Sequence, residues 1–344
     1  MNQKLLDNLF LALAAGDSLG STSEFVRQAE IPALYERLQP TGWPFRQVGG
    51  GSFHWPVGAP TDDTDMALAM VRSAVRRQGF NGADVAERFV AWLETSPRDI
   101  GTTTRRALEG IRAGTPWSRG GIAEFDENPL NAANGSLMRN GVVAGIADDL
   151  TDALDISILH SIITHAAPLP VMCCAAQTWL IWHLVHDQTK NVLSKNWVEA
   201  FWGDFLHMLI KDTRSAQVLE WKAHVKQAVM PAYREFAVAD FSPDSFNPFL
   251  VSYAGRSGYC LLTLQIAVWA ANWALRGEPF RARTGFPAAP FMRTGPWTLS
   301  WVAMIGHDSD TYGAAAGPLI WAAAGELPQE LLEGLVVAKE IGGG

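Results

Sequence analysis

Cysteine is scarce in this chain. Cys173, Cys174 and Cys260 are its only three among 344 residues, and all lie in apolar stretches. Adjacent cysteines rarely bridge each other and no zinc-ligand spacing is present, so neither a disulfide framework nor a structural zinc organises the fold. The thiols read as buried and free, in a reducing compartment. Basic charge is also short: 27 Lys and Arg stand against 35 Asp and Glu, a net charge of -8 with a pI near 5.5. A nucleic-acid binder needs a basic face, so that class is set aside, while a phosphate-bearing ligand held locally is not. Long unbroken apolar runs are missing too. Tyr259 to Leu275 is interrupted by Gln265 and Asn272 and is short for a bilayer. Leu9-Phe10-Leu11-Ala12-Leu13-Ala14-Ala15 follows Asp7, has Lys4 as its basic flank, and leads into Gly16-Asp17 without a convincing cleavage site. Both runs are expected to be buried helices of a cytoplasmic protein with no membrane segment.

What the chain has in quantity is helical periodicity. With 48% hydrophobic residues it can bury a large core, and its even composition favours one domain over 1–344. Leu5, Leu6, Leu9 and Leu13 mark one apolar face, and Ile31, Leu34 and Leu38 a short second helix. A loop rich in Gly and Pro fills 41–60. The pattern predicts helices near 64–78, 84–94, 102–113, 136–147, 151–163, 169–187, 196–211, 215–236, 257–276, 312–324 and 328–340. Loops take up the polar stretch to 135, residues 238–256 and the Pro-rich 278–297. Strand-like alternation nowhere persists, so the fold class is all-α, a compact orthogonal multi-helix bundle with its chemistry on interhelical loops.

Two of those loops carry unusual charge. Thr61-Asp62-Asp63-Thr64-Asp65-Met66 leads straight into an apolar run, and Gly306-His307-Asp308-Ser309-Asp310-Thr311 into a Gly/Ala-rich one. Asp and Thr are favoured at helix N-termini, so capping is one explanation. Three carboxylates within four residues, however, repel one another more than capping rewards. A hard dication removes that cost, and carboxylates with a hydroxyl supply an oxygen shell. Alternate residues direct Asp308 and Asp310 to one side. Two such turns make a binuclear centre the second explanation.

In sum these residues resemble the ADP-ribosylglycohydrolase family. Gly16-Asp17-Ser18-Leu19-Gly20 with Glu24-Phe25 is similar to that family's G-D-x-L-G and E-F. Thr61-Asp62-Asp63-Thr64 with Met66 resembles T-D-D-T-x-M. Asp99-Ile100-Gly101 with Thr103 resembles D-x-G-x-T, and Asn134-Gly135-Ser136 with Met138-Arg139 resembles N-G-x-x-M-R. Thr164-His165, Ser257-Gly258-Tyr259 and Asp308-Ser309-Asp310-Thr311 follow in order, so the likeness runs over most of the chain. The paired T-D-D-T and D-x-D-T turns are specific; the shorter pieces are weak alone.

The resemblance implies a Mg2+-dependent hydrolase that removes mono-ADP-ribose from modified arginine on proteins, reversing a transferase in regulation or in immunity to a toxin. It implies that Thr61, Asp62, Asp63, Asp308, Asp310 and Thr311 ligate two Mg2+ ions, with Mn2+ as a substitute. Glu24 and Asp99 become the candidates for acid/base work at the anomeric carbon. Gly101, Asn134, Gly135, Ser136 and His165 are expected to line the ADP-ribose site, with Tyr259 stacked on adenine and Arg139 bracing the fold. The partners implied are an ADP-ribosylated protein, ADP-ribose and a cognate toxin; the chain is expected to be a monomer. His307, where the family usually has glycine, and Leu262, where many members have aspartate, depart from the pattern. The segment 278–297 and the Trp-rich 179–222 are read as a rim selecting the modified protein. Another linkage (serine or O-acetyl-ADP-ribose) and a non-catalytic ADP-ribose or toxin binder stay open as alternatives.

Overall fold

A computed structural model of the chain describes residues 1–186, 191–193, 196–213, 215–277 and 293–337. Among these residues the protein is helical, with no strand and two isolated bridges, Gly50 to Trp55 and Ala133 to Tyr259. The helices begin with α1 (Gln3–Gly20), α2 (Ile31–Leu38), α3 (Asp62–Arg77), α4 (Gly82–Glu94), α5 (Thr102–Arg112) and α6 (Gly120–Glu127). There follow α7 (Val143–Ile146), α8 (Leu150–Ile162), α9 (Pro168–His186), α10 (Trp197–His207), α11 (Ala216–His224) and α12 (Lys226–Ala237). The last are α13 (Cys260–Arg276), α14 (Thr298–Ala303), α15 (Ser309–Ala324) and α16 (Gln329–Leu332). The all-α expectation holds.

Backbone contacts divide the chain into two compact units. One comprises Met1–Leu6, Asp65–Ala239 and Tyr259–Leu261; the other comprises Asp7–Thr64, Asp240–Gly258 and Leu262–Gly344. Three of its boundaries fall inside α1, α3 and α13, and the other two in the stretch between α12 and α13.

In the first unit, α9 is the core. It is long and apolar enough to cross a membrane by length and composition, yet 83% of it is buried, against α7, α8, α10 and α12. A helix apolar all round belongs inside a core. Its polar groups are answered there: Asn140 Nδ2 donates to the Cys174 carbonyl (2.9 Å), Gln177 Oε1 (2.7 Å) and Thr178 Oγ1 (2.9 Å). Arg139 is buried in the same unit. It donates to the carbonyls of Gly135 (2.9 Å) and His160 (3.1 Å) and to Thr164 Oγ1 (2.7 Å), and its guanidinium lies 4.8 Å from the Phe89 ring centre. That is a brace between a loop and two helices.

In the second unit, α1 and α15 run antiparallel with their backbones in contact. A Cβ on Gly16 would stand 2.0 Å from the Gly313 carbonyl oxygen, one on Gly20 2.1 Å from that of Ser309, and one on Gly317 2.0 Å from that of Ala12. Small residues every fourth position on both helices allow this approach. Gln47 Nε2 tightens the unit by donating to the carbonyls of Ala15 (3.1 Å) and Leu331 (2.8 Å).

Several predicted helices change shape. The 136–147 pattern gives a 3-10 turn at Asn140–Val142 and the short α7, because Arg139 and Asn140 turn inward to bond backbone and core partners. The 215–236 pattern splits at Val225, whose φ of -91° and ψ of 9° leave the helical region while its side chain is buried. The 196–211 pattern ends in a π turn, Met208–Asp212. In place of 328–340, α16 stops where Glu333 turns extended and Gly334 takes a φ of 88°; the end of that prediction lies outside the described residues, as do residues 278–292. Helices α6 and α14 form in stretches where periodicity predicts none.

Candidate active site

The second unit gathers the two acidic turns. Asp17 follows Gly16 on α1 and Asp310 follows Ser309 on α15, so the glycine crossing carries both carboxylates to one place. Asp63, in the first turn of α3, joins them: one oxygen from each of Asp17, Asp63 and Asp310 lies within 4.8 Å of the others, and all three residues are buried.

Asp17 sets the geometry of the first turn. Its carboxylate accepts from the backbone N–H groups of Thr61 (3.1 Å) and Thr64 (3.1 Å) and from the hydroxyls of Thr61 (2.8 Å) and Thr64 (2.5 Å). The N–H groups at the start of α3 are thus answered by a carboxylate from another helix, which also complements the dipole there. The Thr61 hydroxyl is 2.8 Å from Asp17 Oδ1 and 3.0 Å from Asp63 Oδ2. A hydroxyl carries one proton, so it can serve only one of these two acceptors.

The cluster therefore holds more acceptors than donors. Oδ1 of Asp63 and Oδ1 of Asp310 are buried and accept no hydrogen bond among the described residues. Burial lifts Asp17 to about 6 against the hydrogen bonds from Thr64 and Thr61. It lifts Asp63 well above the carboxylate range, with the charges of Asp17, Asp62 and Asp308 adding to it. Asp310 is raised likewise by burial, then by Glu24, Asp63, Asp308 and Asp17. Protons or a hard cation must balance such a group. The oxygen-only donor set fits Mg2+ or Mn2+. Capping does not account for the second turn, since Asp308, the N-cap of α15, makes no side-chain capping bond. Asp62 and Thr311 are buried beside these residues in sequence, and Asp308 is half-buried.

Glu24 is buried where the chain leaves α1. The loop beyond it is paired with the one before α15: the Phe25 N–H donates to the His307 carbonyl (2.6 Å) and the His307 N–H to that of Val26 (2.8 Å). His307 occupies the left-handed region, with a φ of 59°, a conformation glycine adopts at no steric cost. Its ring instead stacks on Tyr253, with centroids 4.2 Å apart and planes at 15°.

The remaining predicted residues belong to the first unit. Asp99 is half-buried before α5 and is raised by burial, with the Ile100 N–H opposing. Gly101 is the N-cap of α5. Asn131 Nδ2 donates to Thr103 Oγ1 (2.7 Å), and Ala133 pairs with Tyr259, so the loop that leads to Asn134 is tied both to the first turn of α5, beside Gly101, and to Tyr259. Gly135 packs against His165; a Cβ there would meet His165 Cε1 at 2.9 Å and Thr104 Oγ1 at 3.1 Å. Ser136 points inward, its hydroxyl accepting from Ser161 at 2.9 Å. Thr164 Oγ1 accepts from Arg139 and lies 2.8 Å from His165 Nδ1. Burial, then Arg139, lowers His165 to about 3. The Tyr259 hydroxyl donates to Glu235.

Sequence reasoning passed over Asp17 as a working residue. The signal was there in Gly16-Asp17, but its partners Thr61 and Thr64 lie 44 and 47 positions on.

The sequence profile of the ADP-ribosylglycohydrolase family matches residues 6–342. An ADP-ribosyl-[dinitrogen reductase] glycohydrolase of Rhodospirillum rubrum is 34% identical over 183 residues, covering 51% of this chain and 56% of that protein. The ADP-ribosylarginine hydrolase Tri1 of Pseudomonas putida (strain GB-1) is 34% identical over 173 residues, covering 48% and 42% respectively. The chain thus spans about half the length of the curated relatives it matches. A solved structure described as an ADP-ribosylglycohydrolase-related protein complex superimposes with a TM-score of 0.66 at 25% identity, over 98% of this chain and 94% of that one. The chain belongs to the ADP-ribosylglycohydrolase family.

Proposed function

We propose that the protein is a hydrolase that removes mono-ADP-ribose from arginine side chains of modified proteins, opposing a regulatory or toxin transferase. The observation that carries this reading is the buried cluster of Asp17, Asp63 and Asp310, short of donors and set around Thr61. The arginine linkage is supported by the names of the relatives, one an ADP-ribosyl-[dinitrogen reductase] glycohydrolase and another an ADP-ribosylarginine hydrolase.

Thr61, Asp62, Asp63, Asp308, Asp310 and Thr311 would hold two Mg2+ ions, with Mn2+ able to substitute. When bound, the metal supplies positive charge that orients the hydroxyls of the distal ribose. Asp17 fixes Thr61 and the first turn of α3, so the oxygen set is preorganised rather than gathered on binding. In the reaction the bond from C1″ to the guanidino nitrogen breaks and a bond from water oxygen to C1″ forms. One water proton passes to a carboxylate, Glu24 or Asp99, and one proton ends on the departing nitrogen. The ring of Tyr259 would carry adenine, and Gly101, Asn134 and the backbone at Gly135 and Ser136 would border the diphosphate. The neutral ring of His165 lies against Gly135 and would line the same border. The three thiols, free and buried, suit a reducing, cytoplasmic setting.

Release of ADP-ribose from an arginine-modified protein, with Mg2+, with EDTA, and in an Asp308→Ala plus Asp310→Ala variant, tests the reading. Metal-dependent release lost in the variant supports it. Release from serine-linked or O-acetyl substrates alone moves the linkage. No release from any of them, with ADP-ribose still bound, leaves a binding protein.

A further inference from the structure

The Gly-rich loop before α3 does more than deliver the chain to the acidic turn. It folds back as a tight bridge, with Gly50 N–H donating to the Trp55 carbonyl (2.8 Å) and Trp55 N–H to that of Gly50 (2.7 Å). It then docks on the segment that holds Glu24. Thr22 Oγ1 donates to the Gly49 carbonyl (3.1 Å), Ser52 Oγ to the Glu24 carbonyl (3.2 Å), and a Cβ on Gly51 would stand 2.0 Å from the Ser21 carbonyl oxygen. The result is a row of rings. Phe25 meets Phe53 edge-on with centroids 5.9 Å apart at 71°, and Phe53 meets Trp55 at 5.9 Å and 60°.

Phe25 heads this row in an unusual state. It is 60% exposed and its φ is 61°, a left-handed conformation that is a true outlier for a bulky residue. The hydrogen bond from its N–H to His307 holds it there. A large apolar side chain kept in a strained backbone while facing solvent gains little from packing, and strain of this kind concentrates at functional sites. The residue before it is the buried Glu24. Aromatic faces beside a carboxylate are the chemistry that receives an organic cation. Arg27, the cation two residues on, is already engaged with Glu30 at 2.5 Å.

We propose that Phe25, Phe53 and Trp55 form an aromatic wall that receives the guanidinium of the substrate arginine and thereby sets the linkage the enzyme prefers. The inference rests on the hydrolase reading above and deepens it. The guanidinium of an arginine-linked substrate is cationic and gains from ring faces; a serine ether or an acetyl ester is neutral and gains much less.

The test uses the full chain with Mg2+ and compares wild type with Phe25→Leu, Phe25→Gly and Trp55→Leu. KM for an ADP-ribosyl-arginine substrate should rise about 2- to 30-fold in all three. The inhibition constant of ADP-ribose, which lacks the guanidinium, should stay as in wild type. Phe25→Gly should not lower the melting temperature, because glycine takes the left-handed conformation freely. An unchanged KM, an equal loss of ADP-ribose affinity, or a destabilised Phe25→Gly overturns the proposal. Absence of arginine release by wild type sinks the hydrolase reading instead. Calorimetric titration of ADP-ribosyl-arginine and of ADP-ribose then decides the inference. A preference for the former that drops in Phe25→Leu upholds it; an unaltered ratio overturns it.

Discussion

Replacing Gly313 by alanine adds a single carbon where α1 and α15 touch. That carbon would lie 2.1 Å from the Gly16 carbonyl oxygen, 2.5 Å from its carbon and 3.0 Å from its Cα. Ordinary carbon contacts begin near 3.5 Å, so the helices must part by more than about 1 Å. The neighbours are backbone and cannot rotate away. Overpacking of this kind costs about 1–3 kcal/mol, and rigid neighbours put it at the upper end. Alanine returns about 1 kcal/mol in helix propensity. The net is a loss of about 2 kcal/mol, or about 4–8 °C in melting temperature for a cooperative unit of 150–250 residues. Since Asp17 adjoins Gly16 and Asp310 lies one turn before Gly313, Mg2+ or Mn2+ affinity should fall as well, read by calorimetry. The control is Gly203→Ala in α10, where an added Cβ meets nothing within 4 Å. The same substitution there should stabilise by about 0.5–1 kcal/mol through propensity alone. Gly313→Ala melting at or above wild type, with unchanged metal affinity, would refute the reasoning.

Other outcomes follow from the site and its supports. Asp17→Asn removes two acceptor lone pairs from the turn it organises; it should weaken Mg2+ binding at least tenfold while far-ultraviolet dichroism stays native, and intact binding would show Thr61 needs no such anchor. Asp17, Asp63 and Asp310 have raised folded values, so metal-free stability from this group is greatest at low pH and is lost as pH rises through their folded values, about 6 for Asp17. Hence the difference in melting temperature between Mg2+ and EDTA should shrink as pH falls below about 6; a difference that does not vary with pH counts against charge balance as the reason for the metal. His160 and His165 are depressed by burial, so stability they contribute is present above about 6.5 and lost on acidification, by up to about 1.4 kcal/mol per pH unit each; substituting both with Gln should flatten the acid limb of a denaturation series. Arg139→Lys keeps the charge but not the fork, and should cost about 2–4 kcal/mol in urea unfolding, because three acceptors and the Phe89 face depend on the guanidinium shape.

What was legible in the sequence is the part written in neighbouring residues. The start of α3, with its Thr-Asp-Asp-Thr turn, and the apolar length of α9 could be read directly, since local periodicity and local charge determine both. The structure brings Asp63 and Asp310 together as that pattern suggested. What could not be read depends on side chains that reach far along the chain. Periodicity near 140 promised a continuous helix, and the inward bonds of Arg139 and Asn140 to α8 and α9 break it. Asn81, which caps α4 by accepting from Asp84 N–H at 2.9 Å, moved that helix start two residues earlier than apolar spacing implied. Asp17 looked like part of a glycine motif until Thr61 and Thr64 appeared around its carboxylate.

The antiparallel pairing of α1 and α15 has a consequence in time. The hydrogen bond from Ser309 Oγ to the Gly20 carbonyl joins residues 289 positions apart. At about 5–20 residues per second of synthesis, the apolar flank of α1 waits on the order of 15–60 s for the partner that covers it. The long stretch Asp65–Ala239, which supplies most of the other unit, is fully made well before that moment. A newborn chain therefore passes through a stage in which the glycine flank of α1 is open while residues 65–239 can already be packed. During that interval the carboxylate of Asp17 is present without Asp310, so the candidate centre cannot form until the start of α15 has been made.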